Sequence, residues 1–108
     1  MIYFIVNESS KSGKSKEIVN DVVGIFKKNG IEYKPAITKY EGHACEIAEK
    51  IVKKEYTDFL SYKENPDENF KTQIIVLGGD GTINEVVNGI MNAKNESEEI
   101  YKFADEHL

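Results

Sequence analysis

The chain is poor in cysteine and in long apolar runs, and it has no excess of positive charge. A single cysteine, Cys45, among 108 residues excludes a disulfide framework within one chain and fits a reducing compartment. The apolar opening MIYFIV is six residues long before Asn7 and has no basic flank, which excludes a secretory signal or a membrane span there. Together these absences read as a cytoplasmic protein. A formal net charge of −5 argues against nucleic acid as a partner, since binding to phosphate backbones needs basic surface. It also disfavours broad adhesion to anionic membranes, although a local basic patch could still act. No internal repeat or low-complexity tract is present. What remains is an ordinary globular composition, 40% hydrophobic and 31% charged, in a length that suits one small domain with a modest core.

Hydrophobic periodicity changes along the chain. IYFIV at 2–6 is a continuous β-branched and aromatic run, as in a strand buried on both faces of a parallel sheet. NESSKSG at 7–13 is a loop of small polar residues. From Lys14, the residues Ile18, Val22 and Phe26 recur every four positions with Val19 and Val23 beside them, which predicts an amphipathic helix ending at KKNG. IEYKPAIT at 31–38 predicts a second strand, placed at a sheet edge because Pro35 has no N–H to donate. A second helix starts near His43. Residues 57–72 read as a long polar connection, QIIVL at 73–77 as a third strand, and about 82–91 as a third helix. Ile100, Ala104 and Leu108 mark a short amphipathic tail.

The β-α-β-α-β-α order implies a three-layer α/β/α fold around a parallel sheet of Rossmann or flavodoxin type. Residues 1–94 then form a nucleotide-binding domain, and 95–108 a helical tail. QIIVL has the composition of a mid-sheet strand, yet no fourth strand follows it. The expectation is an incomplete N-terminal domain of a longer protein, or a homodimer in which a second copy covers the open edge through the strand or the tail helix.

Gly78, Gly79 and Gly81 lie where the third strand meets the third helix. Ligands of open parallel sheets bind beyond the carboxyl ends of the strands. Glycines admit close backbone approach and positive φ, and a helix start offers unpaired N–H groups to a phosphate. Asp80 could hold Mg²⁺ through water or shape the loop, and Thr82 could cap the helix. The pattern taken alone leaves two readings open, a phosphate cradle or a tight strand-to-helix turn. It does not complete a dinucleotide fingerprint, because Asn84 stands where the third glycine would be.

The longer segment GGDGTINEVVNGI resembles the signature of the diacylglycerol kinase catalytic-domain family, whose superfamily also includes NAD kinases. VNESSKSGKS at 6–15 is similar to that family's first-strand loop, and TKYEGHA at 38–44 to its Thr-x-x-x-Gly-His-Ala segment. The three motifs stand in the family's order. The resemblance implies ATP, with Mg²⁺, across the carboxyl ends of the strands. Asn7, Ser9, Ser10, Lys11, Ser12, Gly13 and Thr38 would touch the nucleotide. Gly78, Gly79, Asp80, Gly81 and Thr82 would wrap the phosphates, with Asn84 and Glu85 supporting the site. Lys14 could aid a phosphate or a lipid head group. The implied reaction moves the γ-phosphate of ATP to a lipid hydroxyl such as that of diacylglycerol. The lipid pocket and catalytic base belong to a second domain, so no catalytic residue is assigned here, and the portion alone is expected to be inactive. For the full-length protein, peripheral membrane contact is also expected.

Glu8 departs from the family pattern by standing where proline is usual, which adds negative charge near the phosphates. His43 also reads as a residue that helps a helix start, and Cys45 as packing. Three rivals remain. GKS at 13–15 has the context of a P-loop, but Glu8 occupies the position of its first glycine. An NAD kinase shares the GGDGT core. A non-catalytic nucleotide-binding or assembly module would bind Mg-ATP without turnover.

Overall fold

β-Branched and aromatic residues dominate positions 2–6, and this segment becomes the central strand. The computed structural model describes residues 1–8, 15–61 and 71–108. Its elements are β1 (Ile2–Val6), α1 (Ser15–Lys28), β2 (Tyr33–Ile37), α2 (His43–Leu60), β3 (Gln73–Leu77), α3 (Asp80–Lys94) and α4 (Glu98–His107). The strands form a parallel sheet in the order β2-β1-β3. In register, Val6 stands between Ile37 and Leu77, so all three strands end at one level.

Alternation along β1 builds the two faces. Tyr3 and Ile5 point to α2 and α3, where they meet Ala44, Ala48, Ile51 and Val86. Phe4 and Val6 point the other way, against Phe26 of α1. Phe4, Ile5 and Val6 are almost wholly buried; burying each contributes about 1.5–3 kcal/mol relative to exposure. Helices therefore cover both faces, as the alternating pattern implies. α4 seats Ile100 and Ala104 against Val52 of α2 and Ala93 of α3, and its start is capped by Ser97, whose Oγ accepts from the Ile100 N–H at 3.1 Å.

Among the described residues β2 is one edge, as Pro35 predicts, and β3 is the other. Gln73 and Ile75 of β3 are exposed, although its composition is that of a strand buried on both faces. Helix ends depart from the sequence reading in two places. α2 runs on to Leu60, into the stretch read as a connection, because Tyr56 and Phe59 lie on one face and pack on Phe103 of α4. The rest of that connection, 62–70, lies outside the described residues. α3 starts two residues earlier than Thr82 and extends beyond Met91 to Lys94.

Gly89 explains how α2 and α3 approach so closely. A Cβ there would stand 2.9 Å from the Ala48 Cβ and still closer to the carbonyl oxygen of Cys45. Two helices can cross at this separation only if one of them has no side chain at the crossing.

Candidate functional site

Parallel strands that end at one level leave their last carbonyls and the following loops on one side of the sheet. The ladder continues one residue beyond the strands. The Asn7 N–H donates to the Leu77 carbonyl and the Thr38 N–H to the Val6 carbonyl, both at 2.8 Å. Asn7 and Thr38 are thereby held side by side at the carboxyl end. From β3 the chain turns directly into α3, so Thr82 comes to the same place. The Asn7 side-chain amide donates to Thr82 Oγ1 at 2.9 Å.

These residues open onto a cleft of about 400 Å³ lined by Asn7, Thr38, Lys39, Tyr40, Glu41, Ala44, Thr82 and Glu85. Of the residues singled out in the sequence, Asn7, Thr38, Thr82 and Glu85 thus meet in one cavity. Gly78 to Gly81 form the turn that delivers Thr82 to it. Asn84 is exposed and is not among the lining residues. Ser9, Ser10, Lys11, Ser12, Gly13 and Lys14 lie outside the described residues, and so does most of the GKS segment.

The glycine turn differs from the expectation in its local geometry. None of Gly78, Gly79 and Gly81 has positive φ; among the described residues that conformation is taken only by Gly30 and Gly42. Nor does Thr82 cap the helix. Gly79 occupies the cap position with extended backbone (φ −84, ψ −174), and no side chain bonds to it there. The reason is that Asp80 and Gly81 already belong to the helix, which places Thr82 third in the first turn and only 4% exposed. The three glycines also differ from one another. A Cβ on Gly78 would strike Thr82, 2.6 Å from Oγ1 and 2.7 Å from Cβ, so packing alone requires that glycine. A Cβ on Gly79 or Gly81 would meet nothing within 4 Å. Among the described residues, neither positive φ nor packing calls for those two.

Lys39, Tyr40, Glu41 and Ala44, which complete the cleft, carry no role in the sequence reading. They come from the turn between β2 and α2, inside the TKYEGHA segment. Gly42 takes φ +87 as the residue before α2, a conformation that glycine adopts without steric cost. His43 then sits at the helix start, and its Nδ1 accepts the Lys39 N–H at 2.9 Å. Its ring stacks on Tyr40 at 4.4 Å and 13°. The Tyr40 hydroxyl donates to Glu46. That hydrogen bond, with some desolvation, pushes the phenol above its ordinary pKa. His43 therefore organises the turn that carries Lys39 and Tyr40, in keeping with its reading as a helix-start residue. The signal was available: a glycine directly before a histidine that starts a helix marks a turn of fixed shape.

The cleft offers amide, hydroxyl and ammonium donors, and two carboxylates. Among the described residues no group of three or more His, Cys, Asp and Glu could hold a metal ion. Magnesium commonly needs only one or two carboxylates when phosphate oxygens and water supply the rest, so Glu85, Glu41 and the nearby Asp80 fit an ion that arrives with a polyphosphate. No helix among the described residues is long and apolar enough to cross a membrane.

The family model described as "Diacylglycerol kinase catalytic domain" matches residues 1–102. The chain is 35% identical over 96 residues to sphingoid long-chain bases kinase 1 of Arabidopsis thaliana, covering 87% of this chain and 11% of that protein. It is 34% identical over 91 residues to a diacylglycerol kinase of Staphylococcus haemolyticus, covering 84% and 23%. With the putative lipid kinase YtlR of Bacillus subtilis it shares 28% over 88 residues, covering 82% and 25%. The chain thus spans a quarter or less of the length of each of these relatives.

Proposed function

Because the chain belongs to the family of the diacylglycerol kinase catalytic domain, we propose that it is the ATP-binding portion of a lipid kinase. The reaction is transfer of the γ-phosphate of ATP to a lipid hydroxyl, of diacylglycerol or a related lipid. The observation that carries this reading is the pair Gly79 and Gly81 at a helix start, where an added Cβ would meet none of the described residues within 4 Å, beside a cleft that gathers Asn7, Thr38 and Thr82.

The mechanism follows from these positions. Backbone N–H groups at the start of α3, with the partial positive charge of the helix end, favour phosphate oxygens. Thr38 and the side-chain amide of Asn7 donate from the strand ends. Lys39, the only cation lining the cleft among the described residues, attracts the polyphosphate. Mg²⁺ accompanying ATP would neutralise charge developing on the transferred group, with Glu85 and Asp80 orienting its water shell. Phosphoryl transfer needs mainly positioning and electrostatic stabilisation, and these residues supply the donor half. The acceptor hydroxyl must also lose its proton to a base, and none of the described cleft residues is assigned that role. This chain alone therefore binds nucleotide and does not phosphorylate lipid.

Calorimetric titration with Mg-ATP, paired with a labelled-phosphate assay on diacylglycerol vesicles, tests both parts. Saturable binding without turnover is the expected result. Turnover by the 108-residue chain would overturn the second part, and absence of binding by the folded chain would overturn the first.

A further inference from the structure

A second cavity lies between β2 and α2, on the edge of the sheet opposite β3. It measures about 290 Å³ and shares no lining residue with the cleft. Its floor is apolar, with Ala36, Ile47 and Ile51, and its rim is made by Lys34, Lys50 and Lys54. Among the described residues no carboxylate lines it. Lys54 is held from outside by Asp58 at 2.9 Å, and Glu55 accepts from the Tyr3 hydroxyl beneath the floor. The Lys34 ammonium stands 5.7 Å over the Tyr3 ring, and Lys34 and Lys54 line the same groove. Like charges therefore converge over an apolar floor, in a chain whose net charge is −5.

Protection of an open strand edge accounts for Lys34 next to Pro35. It does not account for Lys50 and Lys54, one turn apart on α2, which face the same groove. Their convergence favours an anion, and the apolar floor favours one that carries hydrocarbon.

We propose that this groove is a docking surface for a bilayer bearing anionic phospholipids. The three ammonium groups meet head-group phosphates, and the floor accepts the glycerol and upper acyl region. The inference rests on the lipid kinase reading only in that such an enzyme must reach a substrate held in a bilayer. Docking itself needs no nucleotide.

The test is sedimentation of the chain with vesicles of phosphatidylcholine alone and of phosphatidylcholine containing about 30% phosphatidylglycerol, a level that gives a substantial negative surface potential. Binding is expected to the anionic vesicles only and to weaken with salt. Combined Lys34→Gln, Lys50→Gln and Lys54→Gln should lower vesicle affinity at least about tenfold. A control set with the same charge change, Lys27→Gln, Lys28→Gln and Lys102→Gln, should alter it less than about threefold. Lys50→Glu alone, an exposed change on α2, should also weaken binding and checks the triple variant against misfolding. Three results would each overturn the proposal: no binding to anionic vesicles, equal binding to neutral ones, or equal losses in both triple variants. Mg-ATP titration of the groove variant should match the parent chain, so a failure of docking is distinguishable from a failure of nucleotide binding.

Discussion

Asn7 and Thr82, 75 residues apart, are joined by a hydrogen bond of 2.9 Å from the Asn7 side-chain amide to Thr82 Oγ1. It ties the end of the central strand to the first turn of α3, and it fixes two walls of the cleft relative to each other. Thr82→Val keeps the shape and removes the acceptor. The expected cost is about 1 kcal/mol in urea unfolding, with a weaker affinity for Mg-ATP.

The three glycines of the turn should respond differently to alanine. Gly78→Ala forces a methyl into Thr82 and should destabilise by about 1–3 kcal/mol. Gly81→Ala adds a methyl in open space within a helical turn, so stability should rise by up to about 1 kcal/mol. Its Mg-ATP affinity should nevertheless fall, on the order of tenfold, because the methyl obstructs the approach of phosphate to the backbone. Unfolding curves and titrations on the same samples separate the two effects. A Gly81→Ala chain with unchanged affinity would count against the phosphate cradle.

Gly89→Ala is a purely structural change. The new methyl would press on Ala48 and on the Cys45 carbonyl, so overpacking should cost about 1–3 kcal/mol and lower the melting temperature. Residual Mg-ATP affinity of the folded fraction should be close to that of the parent.

Tyr3 supplies the pH dependence. Burial, and then its 2.5 Å hydrogen bond to Glu55, push its phenol up to about 12, against about 10 in an unfolded chain. The folded state therefore keeps its proton where the unfolded state loses it. The stabilisation is fully present below pH 10 and is lost as pH rises towards 12. Alkaline unfolding followed by circular dichroism should show this decline, and Tyr3→Phe should remove its share of it. The same variant leaves the buried Glu55 without its donor, at an expected cost of about 1–3 kcal/mol near neutral pH.

Much of the architecture was legible because it rests on local pattern. The unbroken run at 2–6 marked a strand covered on both faces, Pro35 marked an edge, and the fourfold spacing of Val22 and Phe26 marked the buried side of α1. The start of α3 was less legible. Gly-Asp-Gly has poor helix propensity and reads as loop, yet burial of Thr82 and Val86 draws it into the first turn. The packing glycine at 89 was also invisible, since it depends on how closely another helix passes. At the site, Asn7, Thr38 and Thr82 could be found at strand ends and by motif resemblance. Lys39 and Tyr40 could not, because their placement depends on the His43 ring that holds the Lys39 N–H and stacks on Tyr40.

The most direct measurement for the central claim is calorimetric titration of Mg-ATP into the parent chain, with Gly81→Ala and the groove triple variant beside it. The account predicts a saturable one-to-one isotherm for the parent, an unchanged one for the groove variant, and a weakened one for Gly81→Ala despite its intact fold. A parent chain that is folded by circular dichroism and gives no isotherm would contradict it.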